Sequence, residues 1–300
     1  ACSPSGKKTG ADSTVDTLRT TETVNLLNNL RKVPTQGIMF GHHDDPLYGV
    51  GWEGDEDRSD VKSVCGDYPA VMSFDLGHIE LEREKSLDNV PFRKIRQETI
   101  NQYKRGGVVS FSWHLDNPLT GKDAWDVSDT TVVASILPGG VHHAKFISWL
   151  DAVAAFMNPL ETEEGTKIPV IFRPWHEHTG SWFWWGQNLC TADQYKALWR
   201  MTHDRMHARG VKNLLYAYSP GSEPKDSTAY LERYPGDDII DLVGFDTYQF
   251  DRTQYMEQLD KSLAILTEVG KAHDKPIAIT ETGFEAIPDS VWWTQTLYPV

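Results

Sequence analysis

Several features are scarce or absent in this sequence of 300 residues, and each absence excludes a class of protein. No apolar run approaches the roughly 18 residues that a helix needs to span a bilayer. No glycine-rich phosphate loop follows the first predicted strand, which argues against a nucleotide-binding protein. Lys and Arg total 29 against 43 Asp and Glu, and the net charge of −14 argues against nucleic acid or an anionic membrane as partner.

Cysteine is equally scarce, with only Cys2, Cys65 and Cys190 in the chain. Their spacing matches neither a zinc motif nor a disulfide framework. Cys65 and Cys190 are compatible with a pair in an exported protein and equally with two free thiols. Cys2 precedes a polar segment, so a leader peptide cut near this point would leave a lipoprotein acylated at Cys2. The alternative is an ordinary free cysteine or a vector remnant.

The domain organisation follows from the absence of repeats, low-complexity blocks and interior linkers rich in Pro, Gly or Ser. We expect a flexible tether over 1–17 and a single catalytic domain over 18–300. The lipoprotein interpretation places the protein outside the cytoplasm. It would lie in the periplasm or on the outer membrane of a Gram-negative bacterium.

Strand-like and helix-like segments alternate along the chain, which predicts an α/β fold with a parallel sheet. Polar or aromatic residues end most of the strands, which favours a (β/α)8 TIM barrel over an open doubly wound sheet. The predicted strands are 37–45, 70–80, 106–118, the segment from 168, 212–219, 241–250 and 276–284. The predicted helices are 18–32, 92–105, 142–157, 191–209 and 253–272, with another near Asp289. An eighth strand is missing, so either an unassigned segment closes the barrel or the chain is truncated at its C-terminus, and we expect truncation.

The most informative stretch is 168–186, IPVIFRPWHEHTGSWFWWG, which begins as an apolar strand and then becomes polar. Glu177 follows this fourth strand, and Glu281 follows the seventh, in ITETG. Glycosidic bond cleavage typically uses two carboxylates, one protonated as acid and one ionised, about 5–5.5 Å apart in retaining enzymes. Either glutamate alone would commonly be a strand-end ion pair. The two together, each at the carboxyl end of a strand, predict a glycosidase with Glu177 as acid/base and Glu281 as nucleophile.

Other polar and aromatic residues near these strand ends are candidates for substrate binding. Arg173 would keep Glu281 ionised, and Tyr248 would donate a hydrogen bond to it, although both residue types also serve structural roles in barrels. The candidates for contact with sugar hydroxyls and sugar rings are His114, Trp125, His176 and Trp182. Trp184 and Trp185 are equally compatible with the core.

Two rival functions remain open at this point. Histidines and aspartates near strand ends are compatible with a metal-dependent hydrolase; they are His42, His43, Asp44, Asp45, His114, His176 and His178. Metallohydrolase barrels usually carry a His-x-His pair on the first strand, whereas His176 and His178 follow the fourth. The second rival is a non-catalytic glycan-binding barrel, which would be expected to have lost one of the two glutamates.

The stretch RPWHEHTGSWFWWG resembles the acid/base motif of glycoside hydrolase family 26, and ITETG resembles its nucleophile motif. The resemblance extends to GHHDD at 41–45, SWHLDNP at 112–118 and FDTYQF at 245–250. It implies a (β/α)8 barrel that hydrolyses β-1,4-mannan with retention, without cofactor or metal. It also implies that His114, Arg173, His176, Trp182 and Tyr248 belong to the active site.

The lipoprotein-like start adds a resemblance to β-mannanases of Bacteroides-type bacteria. The implied substrates are mannan, galactomannan, glucomannan or manno-oligosaccharides. The same motifs occur in family members that act on β-1,3-1,4-glucan or β-1,3-xylan. Attack within the chain or release of mannobiose would depend on the loops around 49–60 and 119–131. We expect a monomer.

Overall fold

The computed structural model describes residues 19–299 of the protein. The predicted tether over 1–17 and the predicted acylation site Cys2 lie outside the described residues, so both stay predictions. The two other cysteines are free, with Cys65 exposed and Cys190 buried. No helix in the described part of the chain is both long enough and apolar enough to cross a membrane.

Seven strands form one parallel sheet in chain order, as the α/β barrel prediction requires. They are β1 (Gly41–His43), β2 (Val71–Asp75), β3 (Val108–Ser112), β4 (Val170–Arg173), β5 (Leu214–Tyr218), β6 (Leu242–Gln249) and β7 (Ile277–Phe284). Within residues 19–299 no eighth strand joins the sheet, and β1 and β7 are its edges. A two-stranded hairpin, Tyr48–Gly49 with Trp52–Glu53, follows β1.

One helix precedes β1 and the others follow the strands. The helices are α1 (Thr21–Leu30), α2 (Asp60–Cys65), α3 (Phe92–Lys104), α4 (Val132–Ile136), α5 (His143–Met157), α6 (Ala192–Ala208), α7 (Ser227–Leu231) and α8 (Arg252–His273). Helices α1, α3, α5, α6 and α8 are close to the predicted ranges, whereas the short helices α2, α4 and α7 were not predicted. A capping box between Thr191 and Gln194 fixes the start of α6. The helix predicted near Asp289 is a short π-helical segment that begins four residues later, over Trp293–Leu297.

Two apolar clusters lie on opposite faces of the sheet, because side chains alternate along each strand. Val109 and Phe111 of β3 pack toward the helices, in the larger cluster. Val108 of the same strand packs with Ile171 and Leu215 in a smaller cluster. The leucines of α1 cover this smaller cluster; they are Leu26, Leu27 and Leu30. The apolar interior orients the seven strands so that their carboxyl ends converge on one rim.

Helix α8 allows a test of this packing by substitution. Leu259 is fully buried in the larger cluster, whereas Glu257, two residues earlier, is exposed. We expect Leu259→Ala to lower the free energy of unfolding by about 2–5 kcal/mol, because it removes buried methyl groups and leaves a cavity. The matched Glu257→Ala change is expected to stay within about 0.5 kcal/mol of the unsubstituted protein. Urea denaturation of both variants measures the difference, and equal destabilisation would contradict the assigned packing.

Candidate active site

The chain reverses sharply after β4, and this reversal places Glu177 over the rim. Trp175 and Glu177 both have left-handed backbone conformations, with φ of 59° and 53°. This region is unfavourable for residues other than glycine, so neighbouring elements must hold it. The Glu177 amide donates to the Ser219 carbonyl just beyond β5 (2.8 Å), and the Tyr195 hydroxyl of α6 donates to the Trp175 carbonyl (2.6 Å).

Glu281 lies on β7 between two donors, Arg173 at the end of β4 and Tyr248 on the adjacent strand β6. The Arg173 guanidinium bonds to Glu281 Oε1, and the Tyr248 hydroxyl donates to Oε2 at 2.5 Å. Burial opposes ionisation of Glu281, but the charge of Arg173 and the hydrogen bond from Tyr248 outweigh it. Together they hold the pKa of Glu281 below its ordinary value. The sequence predicted both contacts, and the structure contains them.

Glu177 lies in the opposite electrostatic environment. Burial, followed by the nearby charge of Glu281, raises the pKa of Glu177 to about 7. The indole of Trp182 donates to Glu177 Oε2 at 2.7 Å, which moderates this rise. One carboxylate oxygen of Glu177 lies within 4.8 Å of one of Glu281. Two carboxyl groups this close, with pKa values shifted in opposite directions, are suited to act as an acid and a base.

A chain of hydrogen bonds connects Asp75, His114 and His176 beside the two glutamates. Asp75 Oδ2 accepts from His114 Nδ1 at 2.7 Å, and the Nε2 atoms of the two histidines are 2.9 Å apart. Burial opposes the charged form of His114, but Asp75 outweighs burial and raises the pKa of His114. For His176, burial and then the charges of Arg173 and His114 hold the pKa well below its ordinary value. The pKa values of these two adjacent imidazoles are therefore shifted in opposite directions.

The tryptophans divide into two groups. Trp182 and Trp125 are 40% and 49% exposed, and Trp125 stacks on the His114 ring with centroids 5.4 Å apart. Both indoles are partly exposed, and Trp182 donates to Glu177, which suits contact with a sugar ring. Trp184 and Trp185 are fully buried and belong to the core.

The structure also contains site residues that the sequence reasoning missed. Asp246 Oδ2 accepts from Arg173 Nη1 at 2.8 Å, and Ser219 Oγ accepts from the same nitrogen at 3.0 Å. Asp75 also lies at the end of a strand. Asp75 and Asp246 each follow a phenylalanine at the end of an apolar run, and this shared Phe-Asp pattern could have identified them.

The residues of the metal-binding interpretation lie in different places in the structure. His178 turns into the core, where its ring nitrogens lie 3.0 and 3.2 Å from the hydroxyls of Tyr195 and Tyr218. The carboxylates of Glu177, Asp246 and Glu281 are close enough to share an ion. The Arg173 guanidinium already bonds to two of them, however, so its charge takes the place that a metal would occupy.

Comparisons with known proteins agree with one another. The profile of Glycosyl hydrolase family 26 matches residues 15–292. A solved structure of a GH26 β-mannanase from Bacteroides ovatus is 63% identical, with a TM-score of 0.93, over 94% of this chain and 82% of that one.

Two curated relatives are longer proteins. A mannan endo-1,4-β-mannosidase from Bifidobacterium adolescentis is 36% identical over 89% of this chain and 27% of its own length. Mannan endo-1,4-β-mannosidase A and B from Caldalkalibacillus mannanilyticus is 27% identical over 86% of this chain and 48% of its own length. The chain thus spans half or less of these two relatives.

The coupling between the two glutamates generates a prediction. Since the charge of Glu281 contributes to the raised pKa of Glu177, we expect Glu281→Gln to lower the pKa of Glu177 from about 7 toward its ordinary value. Carboxyl titration by carbon-13 NMR measures this change. Glu257→Gln, on the exposed face of α8, is the matched control and is expected to leave the titration of Glu177 unchanged. An unmoved or raised pKa of Glu177 in Glu281→Gln would show that the two groups are not coupled.

Proposed function

Because the chain belongs to glycosyl hydrolase family 26, we propose that it hydrolyses β-1,4-mannosidic bonds in mannan, galactomannan or glucomannan by double displacement. One observation carries the proposal: two carboxyl groups within 4.8 Å have pKa values shifted in opposite directions. Inverting enzymes need about 6.5–9.5 Å between these groups to admit a water, whereas retaining enzymes bring them to about 5–5.5 Å. The observed spacing supports the retaining mechanism.

In the first step, Glu281 attacks the anomeric carbon while Glu177 protonates the departing glycosidic oxygen. The ionised Glu281 is ready to attack because Arg173 and Tyr248 stabilise its negative charge. Glu177 holds its proton near neutral pH because it is buried beside that charge. The bond to the leaving sugar breaks as a covalent bond forms between Glu281 and the remaining sugar.

In the second step, Glu177 removes a proton from a water that attacks the anomeric carbon and releases Glu281. The change of role follows from the same electrostatics. Esterification removes the negative charge of Glu281, which contributes to the raised pKa of Glu177. The pKa of Glu177 therefore falls in the intermediate, where the residue is needed as a base.

The neutral substrate is bound through aromatic faces and hydrogen bonds. Trp182 is held by its bond to Glu177, so its exposed face lies directly beside the proton donor. Trp125 extends this aromatic surface above His114. A polymeric substrate fits an exported enzyme, and we propose the periplasm or the outer membrane as its location.

The decisive experiment removes the nucleophile. We expect Glu281→Ala to reduce kcat on linear mannan by about three orders of magnitude or more, with substrate binding largely retained, because the covalent step is lost. Azide is expected to restore turnover in this variant by attacking from the vacated side and giving a product of inverted configuration. Mannan hydrolysis at the unsubstituted rate in Glu281→Ala would overturn the mechanism.

The controls separate substrate from mechanism. Glu257→Ala is expected to retain full activity, and linear mannan, galactomannan and glucomannan are expected to be cleaved in preference to lichenan. A preference for lichenan would reject mannan as the substrate while leaving the roles of the two glutamates intact. The length of the first products on linear mannan distinguishes internal attack from release of mannobiose.

The pKa of Glu177 also predicts the pH profile. Catalysis needs Glu177 protonated, so kcat/KM is expected to fall as the pH rises through about 7. Trp182 lowers the pKa of Glu177 by donating to it, so Trp182→Phe is expected to move this basic limb to higher pH. Trp125→Phe, which removes an indole that stacks on His114, is the matched control and should leave the limb in place. A limb that moves to lower pH in Trp182→Phe would reject Glu177 as the acid.

A further inference from the structure

A second group of metal-ligand side chains lies on the same rim, apart from the catalytic carboxylates. His43 ends β1, Asp44 follows it, and Asp88 lies in the loop between β2 and α3. One ligand atom from each residue lies within 4.8 Å of the other two. The mechanism above uses none of these three side chains.

Asp44 is the unusual member of this group because its carboxylate is buried and neither oxygen has a partner in hydrogen-bonding geometry. The residue is 1% exposed, and the Tyr48 hydroxyl contributes only a secondary interaction with its carboxylate. A buried carboxylate without a partner costs several kcal/mol in general, so such groups are normally paired or bound to a metal.

The backbone holds Asp44 in this position. Its φ is 50°, and its amide donates to the Ser73 carbonyl of β2 at 2.8 Å. Its own carbonyl accepts from the Leu47 amide at 2.9 Å. The carboxylate is therefore fixed by a strained, fully bonded turn and is directed toward His43.

The distances in the group suit a shared ion better than direct hydrogen bonds. His43 Nε2 lies 3.5 Å from Asp44 Oδ2 and 4.0 Å from Asp88 Oδ2. Zinc binds nitrogen and oxygen ligands at about 2.0–2.2 Å, so neighbouring ligands of a tetrahedral ion are about 3.4 Å apart. One imidazole and two carboxylates form a ligand set that is typical of zinc and related divalent ions.

We propose that His43, Asp44 and Asp88 bind a divalent cation of the zinc class at the rim of the cleft. The imidazole of His43 is accessible to solvent, which gives the ion an entry path and leaves room for a water as a further ligand. The ion joins the turn after β1 to the loop between β2 and α3. It takes no part in the hydrolysis, so this proposal does not depend on the proposed function.

The neighbouring residues provide a matched control. His42 and His43 are adjacent and almost equally exposed, with 41% and 44% of the side chain accessible. His42 Nδ1 instead lies 3.1 Å from Asp45 Oδ1, which also accepts from the Val61 amide. Another possible zinc pair, His203 and His207 on α6, has ring centroids 4.2 Å apart. All variants should therefore carry His203→Gln and no histidine tag.

The test measures Zn²⁺ affinity by competition with a chromophoric chelator on protein freed of metal with EDTA. We expect His43→Gln and Asp88→Asn each to weaken the tightest site by about tenfold or more. His42→Gln is expected to change the affinity by less than about twofold. Asp88 lies on a loop, so its variant tests the site even if substitution of His43 perturbs β1.

The same proteins give a second readout in thermal denaturation. Zn²⁺ in excess is expected to raise the Tm of the parent and of His42→Gln, because binding to the folded state alone stabilises it. The increase should be smaller or absent in His43→Gln and Asp88→Asn. The parent here is the protein that carries only His203→Gln. Equal zinc affinity in the parent, His42→Gln, His43→Gln and Asp88→Asn would overturn the proposal, as would a parent that binds no zinc ion.

Discussion

The site depends on the placement of one buried cation, the guanidinium of Arg173. It is 4% exposed and bonds to Asp246 and Glu281, while Glu177 lies close enough to contribute to its raised pKa. A buried charge is tolerated only when it is well paired, so removing either partner would leave the other uncompensated. Burial, despite the opposing charge of Arg173, raises the pKa of Asp246 well above its ordinary value. Glu281, with Tyr248 as a further donor, therefore retains the negative charge.

An irregularity between β6 and β7 brings Glu281 to this cation. Ala278 packs with the smaller cluster inside the sheet, and regular alternation would turn Glu281 toward the helices. The register shifts instead, so that Phe245 pairs with Ile279 but Asp246 pairs with Glu281. The extra residue reverses the alternation and directs the carboxylate inward, a common function of a β-bulge near an active site.

The sequence predicted the seven strands, the main helices and the convergence of Glu177 with Glu281, since hydrophobic periodicity and strand-end polarity are local signals. It did not predict the bulge or the left-handed backbone at Trp175 and Glu177, because these depend on bonds to distant residues. Strand-end polarity alone also fails to separate His176 from His178. The two differ because one turns to the rim and the other to buried tyrosine hydroxyls.

The neutral state of His176 also affects the pKa of Glu177. A charged imidazole next to Glu177 would stabilise its carboxylate and lower the pKa of this proposed proton donor. Burial, Arg173 and His114 prevent this by keeping His176 unprotonated. His114 has Asp75 to compensate its charge, and it in turn holds His176 in place through their shared hydrogen bond. Asp75 thus acts on Glu177 only indirectly, because the charge that it stabilises on His114 keeps His176 neutral and also lowers the pKa of Glu177.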